Sequence, residues 1–164
     1  MLAKFSVLGS EFAKAVYNIE NPRVGLVNIG EEEEKGNLLT KAAYPLLKAQ
    51  KGINFIGNVE GRHLFMDGVD VAVCDGFTGN VIVKTCEGFF YNLLKRGVDD
   101  EFLNLFNFEH YGGTPILGIK KPVIIGHGIS KEKTFRNMFK LAKNVVDSKL
   151  IQKIEESFSA STSS

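Results

Sequence analysis

A chain of 164 residues with 44% apolar and 24% charged residues has an ordinary globular composition and is long enough to bury a stable core. Its formal net charge of +1 excludes a nucleic-acid or other acidic-polymer partner recognised through bulk electrostatics. No run approaches the ~18 apolar residues that span a bilayer, and no secretory signal opens the chain, so the sequence reads as cytoplasmic.

Leu2 to Ile19 reads as an amphipathic helix with Phe5, Leu8, Phe12, Val16 and Ile19 on one face, weakened at its centre by Gly9 and Ser10. Glu20-Asn21-Pro22 stops it. Arg23 to Gly30 is a strand ending at a glycine. The acidic loop Glu31-Glu32-Glu33-Glu34-Lys35 follows, then a helix from Leu38 to Ala49 in which Pro45 predicts a kink or an early end. Ile53 to Asn58 is a second strand and Val71 to Cys74 a third. The third runs into a polar loop, Asp75-Gly76-Phe77-Thr78-Gly79-Asn80, and then a long helix with Val81, Ile82, Cys86, Phe89, Phe90 and Leu93 as its apolar positions.

Thirteen phenylalanines and no tryptophan include a stripe, Phe102, Leu105, Phe106 and Phe108, that reads as core or dimer contact. Tyr111-Gly112-Gly113 marks a turn. Ile116 to Ile119 is expected to pair with Val123 to Ile125 across Lys120-Lys121-Pro122. Pro122 to Gly128 makes a fourth strand leading into a helix capped by Ser130. That helix, Lys131 to Lys149, should turn Phe135, Met138, Phe139, Ala142, Val145 and Val146 inward. A last helix, Leu150 to Phe158, precedes a serine-rich stretch. The organisation is therefore one α/β domain over 1–158 and a disordered tail over 159–164.

Strands alternating with helices imply a mainly parallel sheet with helices on both faces, plus a short antiparallel addition. Parallel strands bring their ends to one edge, where free helix N–H groups bind ligands. Lys35, Asn58, Asn80 and His127 would then share one crevice. Each candidate has a plainer alternative. The 75–80 segment fits a ligand loop, in which Asn80 offers its amide, and equally a tight turn capped by Asn80. Lys35 fits a cationic donor or a solvated loop residue. His127 fits a proton-exchanging group or a histidine satisfied at a strand end. His63 and His110 read as structural or exposed. The histidines lack metal-ligand spacing, and Cys74 and Cys86 form neither a zinc pattern nor a disulfide framework, so no metal is expected.

The segments 24–37 (Val-Gly-Leu-Val-Asn-Ile-Gly-Glu-Glu-Glu-Glu-Lys-Gly-Asn), 54–62, 74–81 (Cys-Asp-Gly-Phe-Thr-Gly-Asn-Val), 111–118 and 122–128 together resemble the bacterial PlsX-type phosphate acyltransferases of fatty-acid and phospholipid synthesis. The resemblance runs through almost the whole chain except its serine-rich end. It implies an isocitrate/isopropylmalate dehydrogenase-like fold and transfer of an acyl group from acyl carrier protein to inorganic phosphate, with no cofactor. It further implies a homodimer with Lys35 and Asn80 as catalytic residues. Gly76, Thr78, Gly79 and His127 follow as substrate-binding candidates.

Family members are longer, and the resemblance implies that this chain corresponds to a carboxyl-terminal portion, without the amino-terminal glycine-rich motif. The short, partly acidic stretch Gly97 to Glu109 stands where the family has a longer basic helical segment, which argues against family-style membrane contact. Two other functions fit the same residues. One is an inactive dimerisation or carrier-protein-binding module, and the other a phosphate acetyl- or butyryltransferase-like enzyme using coenzyme A thioesters.

Overall fold

A computed structural model describes residues 1–128 and 130–162, and their side chains other than those of 108 and 160–162. In chain order the elements are α1 (Leu2–Tyr17), β1 (Arg23–Asn28), α2 (Leu38–Lys48), β2 (Asn54–Glu60), a 3-10 turn (Gly61–Phe65), β3 (Val71–Val73), α3 (Gly76–Lys95), α4 (Glu101–Asn104), α5 (Phe108–Tyr111), β4 (Thr114–Pro115), β5 (Ile124–Ile125), α6 (Glu132–Asp147) and α7 (Leu150–Thr162). The chain divides into two compact units, Met1–Cys74 with Ser148–Ser164, and Asp75–Asp147.

The first unit is built on a parallel sheet in the order β2-β1-β3. β1 is the central strand, hydrogen-bonded on both sides. This is why Val24 to Val27 are all buried and why the sequence there is a continuous apolar run rather than an alternating one. Leu2, Val24, Leu26, Ala43, Leu47 and Val73 form the core cluster. α1 packs on β3 and touches α2 and α7, while α2 packs on β2.

The register between β1 and β2 slips by one residue. Val24 pairs with Phe55, but Gly25 pairs with Gly57, so Ile56 is the extra residue. Beyond the bulge Asn58 pairs with Leu26, and without it would face Val27. Because side chains alternate along a strand, this slip moves Asn58 onto the face that carries Asn28.

α1 buries a different face from the one its periodicity suggests. Leu2, Ser6, Val7, Ser10 and Ala13 point inward, whereas Phe5 is exposed. Three of these five, Ser6, Ser10 and Ala13, are small, and the helix lies very close to β3 at Gly9. A Cβ placed on Gly9 would fall 2.6 Å from Val71 Cγ1. Gly9 and Ser10 are therefore what the close packing requires, and the cost in helix propensity is accepted for it. Pro45 does not end α2 early, since the helix continues to Lys48.

Where β1 begins, Arg23 clasps Asp70. Its guanidinium donates from Nε at 2.9 Å and from an NH₂ group at 3.0 Å, and its backbone N–H donates at 2.7 Å. These hydrogen bonds from Arg23 hold the Asp70 carboxyl below its ordinary value. A depressed folded-state pKa contributes stability that is complete above the unfolded carboxyl value, near 4, and is lost as pH falls through the lower folded value. Unfolding midpoints measured across acid pH should fall along that course, and Asp70→Asn should flatten it. An unchanged acid profile in Asp70→Asn would show that the clasp adds nothing.

In the second unit α5 packs on α6 and α6 on β5. β4 and β5 pair antiparallel, Thr114 with Ile125 and Pro115 with Ile124, and the Ile116 N–H donates to the Val123 carbonyl at 2.9 Å. The expected antiparallel addition is present, with its pairing starting two residues earlier than expected. The expected fourth parallel strand is thereby corrected. Ile124–Ile125 has its partner in the two-stranded sheet and does not pair with the parallel one.

α6 also departs from expectation. Val145 is buried, yet Phe135, Phe139 and Val146 are exposed. Ser130 stands one residue ahead of the cap position, because the first helical hydrogen bond runs from the Phe135 N–H to the Lys131 carbonyl at 3.0 Å. α7 continues to Thr162, past the expected end at Phe158. Residues 163 and 164 of the expected tail lie outside the described residues.

Candidate active site

The carboxyl edge of the parallel sheet carries Asn28 at the end of β1, in register with Glu60 at the end of β2. Asn28 organises the loop that follows. Its Oδ1 accepts from the Ile29 N–H at 2.9 Å, and its Nδ2 donates to the Lys35 carbonyl at 3.1 Å and to Asn58 Oδ1 at 3.0 Å. Asn58, itself buried, passes the constraint on, because its Nδ2 donates to the Glu32 carbonyl at 2.7 Å. The loop closes on itself where the Lys35 N–H donates to the same Glu32 carbonyl at 3.1 Å.

Gly36 then carries the chain back over Asn28 with φ +99°, and a Cβ there would lie 2.1 Å from Thr40 Oγ1 and 2.3 Å from Asn28 Oδ1. Asn37 caps α2, accepting from the Thr40 N–H at 3.0 Å. The backbone of Lys35 is thus held through the half-buried amide of Asn28 and the buried amide of Asn58, while its side chain is exposed.

The acidic run is partly neutralised by contacts that local pattern did not reveal. Glu33 pairs with Lys48, whose ammonium holds the Glu33 carboxyl below its ordinary value. Glu31 Oε1 lies 3.3 Å from Nδ1 of His63, on the 3-10 turn. Among the described residues no ion pair engages the Lys35 ammonium. Beside this loop opens a cavity of about 540 Å³ lined by Glu31, Tyr44, Asn58, His63, Asp67 and Val69, among others. His63, expected to be merely structural or exposed, lines this cavity. Arg62, unremarked in the sequence, meets Glu60 through its Nε at 2.8 Å.

Replacing Asn58 with Leu would remove one of the two acceptors of the Asn28 amide and one of the two donors to the Glu32 carbonyl. The loss should be about 1–3 kcal/mol, two hydrogen bonds at about 0.5–1.5 kcal/mol each. Denaturant unfolding of Asn58→Leu measures it, and a change within error would remove Asn58 from the support of the loop.

In the other unit the segment after β3 is helix rather than loop. α3 begins at Gly76, with Asp75 as its cap. Asp75 Oδ1 accepts from the backbone N–H groups of Phe77 and Thr78 at 2.9 and 3.0 Å, and Oδ2 from the Thr78 hydroxyl at 2.6 Å. The Thr78 hydroxyl, followed by these N–H bonds, holds the Asp75 carboxyl below its ordinary value.

This corrects the expected cap. Asn80 is the fifth residue of the helix, with an exposed side chain, and satisfies no helix end. Gly76, Thr78 and Gly79 occupy the first turn, and the Gly79 N–H donates to the Asp75 carbonyl at 3.0 Å. The N–H groups of Phe77 and Thr78 are taken by a carboxylate, so this helix start is less open to an anion than the sequence suggested. His127 is exposed and follows β5. Lys35 with Asn58 therefore belongs to one unit, and Asn80 with His127 to the other.

Among the described residues no group of three or more His, Cys, Asp or Glu side chains is arranged to hold a metal ion, and no helix is long and apolar enough to cross a membrane.

Comparison with known proteins follows the same residues. The family model described as fatty acid synthesis protein matches residues 1–104. The phosphate acyltransferase of Thermoanaerobacter pseudethanolicus is 42% identical over 94% of this chain and 52% of its own length. That of Clostridium perfringens strain SM101 is 43% identical over 94% of this chain and 51% of its own. That of Desulforamulus reducens is 41% identical over 95% and 52%. The chain spans about half the length of the curated relatives it matches. With the matched segment covering the tethered Lys35 loop, the bulged β2 and the start of α3, the chain belongs to the fatty acid synthesis protein family.

Proposed function

We propose that the chain serves acyl transfer to inorganic phosphate, with acyl carrier protein as the thioester donor. A phosphate oxygen attacks the thioester carbonyl carbon, the carbon–sulfur bond breaks, and the thiolate leaves and takes up a proton as the phosphate loses one. A thiol with pKa near 8.5 leaves readily, so holding phosphate against the carbonyl and stabilising the developing oxyanion are the main demands. The observation that carries this reading is the Lys35 loop, fixed through Asn28 and Asn58 at the carboxyl edge of the parallel sheet with the ammonium exposed.

In this reading Lys35 donates to phosphate or to the oxyanion. Asn80 offers its amide to the thioester oxygen or to phosphate from the first turns of α3. Thr78, Gly76, Gly79 and His127 contribute further donors. Asp75 restricts this role, since it already occupies two of the helix N–H groups and one hydroxyl. The reading needs no metal and no organic cofactor. It includes a homodimer, a cytoplasmic setting and an isocitrate/isopropylmalate dehydrogenase-like architecture, to which the three parallel strands lend support.

The test supplies phosphate with acyl carrier protein thioesters and, separately, with acyl coenzyme A, and measures acyl phosphate. Product from the carrier-protein substrate is expected in a protein of the relatives' full length, and little or none from the 164-residue chain by itself. Product from short-chain coenzyme A thioesters alone would move the chain to an acetyl- or butyryltransferase-like role. Carrier-protein binding without product from either donor would make it a binding module.

A further inference from the structure

We propose that His63 is a positioning residue for Lys35: its protonated ring holds the Glu31 carboxylate on the cavity side of the loop, so that anion binding at the Lys35 ammonium weakens as pH rises through neutrality. The assignment rests on the phosphate-binding reading of Lys35 above. Lys35 follows four glutamates, and its N–H donates to the Glu32 carbonyl at 3.1 Å, which folds the run and the lysine into one turn. One carboxylate already flanks the lysine stem, since a Cβ on Gly30 would lie 2.8 Å from Glu32 Oε2 and 2.9 Å from Lys35 Cγ. An anion reaches the ammonium more readily when the other carboxylates are held elsewhere.

Two of them are so held. Lys48 engages Glu33, and Nδ1 of His63 engages Glu31 at 3.3 Å. Glu31 and His63 both line the cavity of about 540 Å³, whose lining does not include Lys35. Lys48 stays cationic throughout, whereas histidine is the side chain that changes charge between pH 5 and 8. The four carboxylates therefore face three cations when the ring is charged and two when it is neutral. The other titratable or charged groups about the ring are Tyr44 of α2, Asp67 beyond the 3-10 turn, and Glu60 with Arg62 at the end of β2. Burial pushes the Tyr44 phenol up, and carboxylates and guanidinium stay ionised above about pH 5, so the imidazole is the group that switches. The pair is too exposed to add much to folding stability. Asn28 and Asn58 hold the backbone of Lys35 and Glu32 at either charge, so the part that moves is the Glu31 side chain.

Nuclear magnetic resonance of the 164-residue chain tests the pairing with no ligand present. The backbone amide of Glu31 should shift with an inflection between pH 5 and 8, in step with the ring protons of His63. His63→Gln should remove that inflection, and so should Glu31→Gln, in which the His63 ring still titrates. His110→Gln should change neither. A Glu31 amide that ignores the titration of His63, or an inflection that survives in His63→Gln, would overturn the proposal.

Sulfate, whose charge is constant over this range, then probes the consequence by calorimetry. Its affinity should fall about threefold between pH 5.5 and 8, the effect of one unit charge at a well-hydrated site. His63→Arg, a permanent cation, should keep the low-pH affinity at every pH, and Glu31→Gln should do the same by lacking the carboxylate. His63→Gln should show the high-pH affinity throughout. A fall of the same size in all three variants would overturn the proposal. Sulfate that binds none of these proteins, or binds Lys35→Met as well as the unaltered chain, overturns the Lys35 reading and with it the effect on anions. The amide titration then still decides whether His63 holds Glu31.

Discussion

In a protein of the relatives' full length, Lys35→Met is expected to lower the proposed acyl phosphate formation by roughly 10²-fold or more, the scale of losing one preorganised donor to a developing oxyanion. The expectation follows from how the residue is held. Its carbonyl is bound by Asn28 and its N–H is turned back to the Glu32 carbonyl, so the backbone does not need to be ordered when substrate arrives. Methionine keeps the length and most of the packing, and removes the charge and the three donors.

Lys48→Met supplies the control, because it takes a cation from the same acidic neighbourhood and leaves Glu33 unpaired. If Lys35 acts by contact with the reacting atoms, Lys48→Met should change the rate only a few-fold. Equal losses in the two variants would mean that general electrostatics of the loop, not a specific donor, sets the rate. A near-normal rate in Lys35→Met would remove the residue from the mechanism. Asn80→Ala, measured beside it, asks the same of the amide on α3.

What could be read from the sequence is instructive at the level of single elements. The three parallel strands stood out because buried strands of a parallel sheet are continuous apolar runs, and Val24 to Val27 is one. The start of α3 was missed because Gly76, Thr78, Gly79 and Asn80 are all poor helix formers, and propensity there favours a loop. The overriding signal was Asp75, an N-cap residue with Thr78 three positions on, and the structure shows it satisfying the two helix N–H groups of Phe77 and Thr78.

β5 illustrates a different limit. A short run such as Val-Ile-Ile carries no information about whether its partner is parallel or antiparallel, or which sheet it joins. For the candidate site, sheet topology puts Lys35 at the carboxyl edge, and family resemblance alone gives it a catalytic role. Its supporting shell, Asn28 and Asn58, depends on a one-residue slip between β1 and β2 that no periodicity encodes. The pairing of Glu31 with His63 and of Glu33 with Lys48 joins residues distant in sequence, so a run of glutamates looked like an unrelieved negative patch.

The support of that loop makes Gly36 the most sensitive backbone position near Lys35, and Gly36→Ala should destabilise its unit by about 2–5 kcal/mol. Two effects add. The φ of +99° is one that L-residues rarely adopt, and the new Cβ would sit 2.1 Å from Thr40 Oγ1 and 2.3 Å from Asn28 Oδ1. Neither neighbour can simply swing away. Thr40 is buried in the first turn of α2, and Asn28 is committed to Ile29, Lys35 and Asn58.

Gly52 separates the two effects, since it too has a positive φ, +83°, yet an added Cβ would meet nothing within 4 Å. Gly52→Ala should therefore show the conformational cost alone, about 1–2 kcal/mol. Denaturant unfolding of both variants measures the difference, which is the steric part. The same displacement should loosen the hold on the Lys35 carbonyl, so Gly36→Ala should lose turnover beyond what its unfolded fraction explains, while Gly52→Ala should not. Equal stability losses in the two variants would show that the loop yields to the extra carbon and that the Asn28–Lys35 tether is not the rigid support described here.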